Sequence, residues 1–233
     1  MPAVRTRIKF CGLVREADLD AAAALGVDYA GFVFYRPSPR AVDVEAAARL
    51  RRRLPSWVRA VGLFVNAPAA EVVQAAGAVG LDVIQFHGDE TPEACVEAAG
   101  HRPWWRAIRV RSKVDLLHCS EMFRGGAHLP EAMLLDAWSE GYGGAGRPFD
   151  WDWIEGTSLG PVVMSGGLDA GNVGEAIRRV HPAIVDVSSG IQVESPRRDP
   201  RAKDAARMAA FVAAVIAADA QALPEPPPAA PRP

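Results

Sequence analysis

Short apolar or β-branched runs alternate along this chain with Ala-, Arg- and Glu-rich stretches whose apolar positions recur at helical spacing. The runs are RIKFC from Arg7, YAGFVF from Tyr29, RAVGLFV from Arg59, VIQF from Val83, WWRAIRV from Trp104, AMLLDA from Ala132, VVMS from Val162 and IVDVSS from Ile184. Between them lie amphipathic segments at 16–25, 44–53, 69–77, 92–99, 172–180 and 203–218, a weaker one at 112–119, and a short one after Asp150. Strands that alternate with helices pair in parallel through crossovers. Eight is the number at which such a sheet closes on itself around a side-chain-filled interior. A doubly wound open sheet is the competing arrangement, but it gathers polar residues beside one switch point. Here they stand at the carboxyl ends of many runs. The expected fold is α/β, a single-domain (β/α)₈ TIM barrel over residues 1–220, followed by a Pro/Ala-rich, disordered tail over 221–233.

Composition removes several function classes. Of 233 residues 49% are hydrophobic and the formal net charge is −2, so nothing calls for a nucleic-acid partner. The one dense basic tract, Arg51-Arg52-Arg53, reads as a solvated helix end. Residues 1–9 lack the apolar core of a signal peptide. No apolar run approaches the roughly 18 residues of a membrane span, and no membrane partner is expected. Cys11, Cys95 and Cys119 form an odd set without a C-x-x-C pair. That pattern fits reduced thiols in a cytoplasmic protein rather than disulfides or a metal site.

In a closed α/β barrel the chemistry sits at the carboxyl ends of the strands and in the loops after them. Phosphate groups bind after strands seven and eight, where small residues let backbone N–H groups approach an anion. Those loops here are Ser165-Gly166-Gly167-Leu168 and Ser188-Ser189-Gly190. Two tight turns would use the same residues, but two such loops at those strands point to a phosphate cradle of Gly166, Gly167, Ser188, Ser189 and Gly190. The stretch 141–146, GYGGAG, matches G-x-G-x-x-G, yet Trp138-Ser139-Glu140 separate it from the strand and Arg147-Pro148-Phe149 follow it. The dinucleotide fingerprint needs a strand directly before and a helix within. A Gly-rich flap over the sixth strand is the better reading.

Alternation along a strand puts Lys9 and Cys11 on one face and Ile8 and Phe10 on the other. The apolar face packs on helices, so Lys9 and Cys11 point into the barrel. By the same rule Asp136 points inward with Leu134. A buried free Cys is commonly a small hydrophobe, and an Asp after a strand commonly caps a turn. Together above a phosphate cradle, the two resemble an acid/base pair. Closure brings strand eight beside strand one, which predicts an ion pair between Lys9 and Asp186, with positive charge favouring the Cys11 thiolate. His87 reads as a hydrogen-bonded residue at the rim. Arg36 or Arg40 suits a bidentate grip on a carboxylate, with a solvated surface charge as the alternative. Cys95, Cys119, Arg109 and Trp104-Trp105 read as packing and rim structure.

Eight stretches in order carry a resemblance: KFCGL at Lys9, GFVFYRPSPR at Gly31, GLFVN at Gly62, QFHGDE at Gln85, LLDA at Leu134, GYGGAGRPFDW at Gly141, SGGLDAGNV at Ser165 and VDVSSGI at Val185. Over essentially the whole chain except the tail, the sequence resembles the phosphoribosylanthranilate isomerases of tryptophan biosynthesis. The resemblance implies an Amadori rearrangement of a small phosphoribosyl substrate, no cofactor, and a monomer or homodimer. It also implies Asp136 as general acid, Cys11 as general base and Arg40 as the holder of the anthranilate carboxylate. Two departures stand out. Gln192 occupies the position of a family Glu if no gap is allowed, and residues 193–202 lengthen the loop before Lys203-Asp204. Phe10 replaces an aliphatic residue on the outer face.

Rival readings lack their residues. A ribulose-phosphate epimerase wants two aspartates and metal-binding His on strands, and an indole-glycerol-phosphate synthase a Lys/Glu set. A phosphosugar-binding protein without turnover would have lost Cys11 or Asp136.

Overall fold

The computed structural model of the chain describes residues 5–123, 128–138, 149–194, 199 and 201–222. Eight parallel strands close into a barrel in chain order. They are β1 (Arg7–Cys11), β2 (Tyr29–Val33), β3 (Arg59–Phe64), β4 (Val83–Phe86), β5 (Trp104–Val110), β6 (Ala132–Ala137), β7 (Val162–Met164) and β8 (Ile184–Val187). Seven α-helices surround them: α1 (Glu16–Ala24), α2 (Val44–Arg51), α3 (Ala69–Val79), α4 (Pro92–Ala99), α5 (Lys113–Met122), α6 (Val173–Val180) and α7 (Ala205–Ala222). Among the described residues, one 3₁₀ turn, Trp151–Ile154, stands between β6 and β7. The fold is a (β/α)₈ TIM barrel.

Side chains explain most boundaries. Asp43 and Thr91 accept the backbone N–H of Ala46 and Ala94, capping α2 and α4, and Pro92 sits at the first turn of α4 where its missing N–H costs nothing. Ser112 and Asp115 form a reciprocal capping box that starts α5. Asp204 accepts from the N–H groups of Ala206 and Arg207, so α7 begins after it.

Outward side chains, among them Ile8, Phe10, Met133 and Leu135, pack on the helices, and Phe10 meets Phe211 of α7 edge-on at 6.2 Å. Inward ones form a separate plug of Tyr29, Val61, Val83, Trp105, Ala107, Leu134, Val163 and Ile184. Tyr29 and Trp105 meet edge-on at 5.0 Å near the floor. The Tyr29 hydroxyl accepts from Arg7, and Glu131 accepts from Trp105 and Arg59, so polar groups left in the floor are paired. This plug closes the lower barrel and leaves only the upper end open for chemistry. No helix among the described residues is long and apolar enough to cross a membrane.

Candidate active site

At the carboxyl ends of the strands a cavity of about 750 Å³, counted to its open mouth, is lined by side chains from around the barrel. Its wall includes Cys11, Arg40, Gln85, His87 and Asp136. Tyr35, Ser38, Ser165, Gly166, Gly167, Asp186, Ser188 and Ser189 complete the polar part. Cys11 and Asp136 each stand at the top of a strand, three strands apart around the ring, and both face this one space. Gly31 makes the Cys11 side possible: a Cβ there would lie 3.1 Å from Cys11 Sγ and 3.3 Å from Lys9 Cε.

Lys9 and Asp186 are register partners across β1 and β8, and strand alternation turns both inward. Lys9 Nζ donates to Asp186 Oδ1 at 2.9 Å with the ammonium wholly buried. Burial pulls Lys9 down, yet Asp186 and Cys11 beside it outweigh that and hold its pKa above the ordinary value. Lys9 acts on Cys11 in the expected direction, favouring the thiolate, but burial is the larger cause and holds the thiol above its ordinary value against both Lys9 and Lys203. Charge counting favours a thiolate, whereas the cost of placing that thiolate in a dry barrel end decides the sign.

On β4 and the loop after it, the Gln85 amide nitrogen stands 3.1 Å from His87 Nδ1. His87 Nε2, on the other side of the ring, lies 3.2 Å from Asp136 Oδ2 but out of line for a hydrogen bond. His87 is buried rather than at the open rim. Glu90 secures its loop by accepting from the backbone of Asn66 and Gly88 and from Arg106.

The loops after β7 and β8 meet side by side. Gly166 and Gly167 both take positive φ, +80° and +76°, a path that costs glycine little and other residues more. A Cβ on Gly166 would lie 2.2 Å from the Ala137 backbone nitrogen. Gly190, expected in the cradle, packs its Cα side on the Leu168 carbonyl, where a Cβ would come within 2.1 Å, and so lets the two loops meet. Ser188 Oγ donates to the Cys11 carbonyl, tying the β8 loop to β1.

Two positions carry more than the sequence reading gave them. Lys203 is buried and donates through Nζ to the Ser188 carbonyl at 2.9 Å. Burial, together with Arg40, lowers it to about 7. Gln192 pairs with Lys203 in an isolated antiparallel bridge, and Val193 N–H bonds to the Ala202 carbonyl. The lengthened loop is thus closed at its base by these two pairings. Of the two arginines after β2, Arg40 lines this cavity, whereas Arg36 is exposed and lines a different cleft. Cys95 and Cys119 lie in α4 and α5, Arg109 pairs with Asp89, and the GYGGAG stretch lies outside the described residues. No cluster of His, Cys, Asp or Glu able to hold a metal occurs among the described residues.

This arrangement suits proton transfer within a ligand held at an anionic end, and comparison with known proteins agrees with it. A sequence profile of the N-(5′-phosphoribosyl)anthranilate (PRA) isomerase family matches residues 8–214. The chain is 52% identical over 189 residues to an N-(5′-phosphoribosyl)anthranilate isomerase of Methylibium petroleiphilum, covering 81% of this chain and 86% of that one. It superposes on the phosphoribosyl anthranilate isomerase of Thermotoga maritima with a TM-score of 0.82 at 33% identity, covering 91% and 99% of the two chains. A phosphoribosyl anthranilate isomerase in complex with reduced 1-(o-carboxyphenylamino)-1-deoxyribulose 5-phosphate superposes with a TM-score of 0.79 at 31% identity, with the same coverage.

Proposed function

The chain belongs to the N-(5′-phosphoribosyl)anthranilate isomerase family, and we propose that Asp136 and Cys11 carry its reaction as general acid and general base. The reaction converts N-(5′-phosphoribosyl)anthranilate to 1-(2-carboxyphenylamino)-1-deoxyribulose 5-phosphate, a step of tryptophan biosynthesis. What supports the assignment is a single cavity in which a carboxyl group, a thiol, an arginine and two Ser/Gly loops share the wall.

Protonated Asp136 gives its proton to the ribose ring oxygen. The bond from that oxygen to C1 breaks while the anthranilate nitrogen shares its lone pair, leaving an open-chain iminium ion. Deprotonated Cys11 removes the proton from C2, and the C–H electrons move toward the iminium to form an enolamine. Tautomerisation moves the C2 hydroxyl proton to C1 and leaves the ketone. The iminium is the electron sink, so the step needs no added group. Gly166, Gly167, Ser188 and Ser189 receive the phosphate, and Arg40 receives the carboxylate of the aromatic ring. Lys203 supports Ser188 from behind the loop. His87 holds the Asp136 side of the cavity. The direct test forms the substrate in situ and follows loss of its fluorescence with wild-type protein; no turnover would leave a binding protein instead.

The proton inventory gives a second test. Carboxylic acids ordinarily ionise several units below thiols, and burial moves Cys11 further up. The working form needs the acid protonated and the thiol ionised. Between the two pKa values its population is constant, because one fraction falls as the other rises. Wild-type kcat/KM should therefore be level between the carboxyl and thiol ranges apart from a step near pH 7, where Lys203 beside the cradle loses its charge, and should fall below the first range and above the second. In Asp136→Asn the acid requirement is gone, so the residual rate should climb about tenfold per pH unit below the Cys11 pKa. A residual rate independent of pH would remove Cys11 from the role of base.

A further inference from the structure

Arg40 is held by few contacts. Its Nη2 donates to Gln192 Oε1 at 2.9 Å, the side-chain hydrogen bond to its guanidinium among the described residues. Its Nε is buried with no partner among the described residues. Its aliphatic stem lies over Gly12, where a Cβ would come within 2.5 Å of Arg40 Cδ. A long, flexible cation so placed takes its aim from one acceptor. That acceptor is itself firmly seated. Gln192 N–H bonds to the Ser189 carbonyl at 3.0 Å, its backbone bridges to Lys203, and Asp204 N–H bonds to the Ile191 carbonyl at 2.8 Å. The short segment 188–192 therefore carries both the Ser188-Ser189 side of the phosphate cradle and the oxygen that aims the arginine.

We propose that Gln192 is a positioning residue that sets the distance between the two anion anchors, holding Arg40 where it meets a carboxylate on a ligand whose phosphate occupies the Ser/Gly loops. The ligand class this selects carries phosphate at one end and carboxylate at the other, at one fixed span. A ligand with phosphate alone gains nothing from Gln192. The inference rests on the reading of Arg40 as the carboxylate holder, and the experiment keeps the two apart.

Gln192→Met keeps the length of the side chain and removes the acceptor, whereas Gln192→Glu keeps an acceptor in place. Both are compared with wild type and Arg40→Ala, using N-(5′-phosphoribosyl)anthranilate as substrate and inorganic phosphate as competitive inhibitor. For Gln192→Met, KM should rise about tenfold, the scale of one hydrogen bond to a charged group. Its kcat and its inhibition constant for phosphate should stay near wild type. Gln192→Glu should keep KM close to wild type. The proposal is overturned if KM in Gln192→Met is unchanged while Arg40→Ala raises it. It is equally overturned if kcat falls as far as kcat/KM, or if phosphate inhibition weakens in step with KM, because Gln192 would then act through the cradle. If Arg40→Ala itself leaves KM unchanged, the carboxylate reading of Arg40 fails first, and the positioning role fails with it.

Discussion

Asp136→Asn and Cys11→Ala should each lower kcat by about 10²–10⁴, the range for removing a positioned proton-transfer group. The reason lies in where each side chain sits. Asp136 is buried at the top of β6 with His87 as its near neighbour, and Asn has the same shape but no proton acid enough to open the ribose ring. Cys11 is buried at the top of β1 over Lys9, and Ala leaves nothing on that face to take the C2 proton. Neither residue belongs to the phosphate loops or touches Arg40 in a hydrogen bond, so KM should move far less than kcat. The measurement is initial-rate fluorescence with each variant, beside a thermal melt that shows the fold is intact. Undiminished turnover in both would sink the assignment. A fall in kcat/KM carried wholly by KM would recast the two as binding groups.

The same alternation that gave these faces made most of the upper barrel legible. Lys9, Cys11, Asp136 and Asp186 follow from period-two faces along runs whose strand character was plain, and Lys9–Asp186 follows from closure of β8 on β1. Gln85 was within reach by the same rule. It shares the inward face with Val83 and His87, alternating with Ile84 and Phe86 on an otherwise apolar strand, and an inward Gln there must find a partner. Gln192 and Lys203 were not. They are joined across an inserted loop by an antiparallel bridge, and no periodicity in that stretch announces it. The last helix starts after Lys203 for the same reason, since the bridge holds Lys203 and Asp204 caps the turn. The close approach of Gly190 to the Leu168 carbonyl was also hidden, because composition alone does not say which glycine lets two loops touch. The net direction of the Cys11 shift was beyond the sequence as well. Its sign is a difference between burial and two nearby cations, and only the packed arrangement weighs them.

Lys9→Met should damage the fold itself as well as the site. Among the described residues it leaves buried Asp186 with the Ser165 hydroxyl, 3.3 Å away, in place of an ammonium at 2.9 Å. An uncompensated buried charge of this kind costs about 3–5 kcal/mol. For a chain of this size that is a fall in Tm of very roughly 6–20 °C. The loss should not vary with pH near neutrality. Lys9 has its pKa raised in the fold, so its contribution is complete below the ordinary lysine range and fades only as pH climbs through the higher folded value. Lys9→Met/Asp186→Leu removes both charges and should regain most of the lost Tm, because a buried pair exchanged for apolar groups of similar volume is often close to neutral in stability. Activity should not return with stability, since Cys11 would then sit over an apolar floor without the cation that offsets part of its burial. Melts of the single and double variants beside their kcat values separate the two uses of Lys9. If Lys9→Met alone melts with wild type, the pair is not holding the barrel, and if the double variant recovers full kcat, Lys9 does nothing for the thiol.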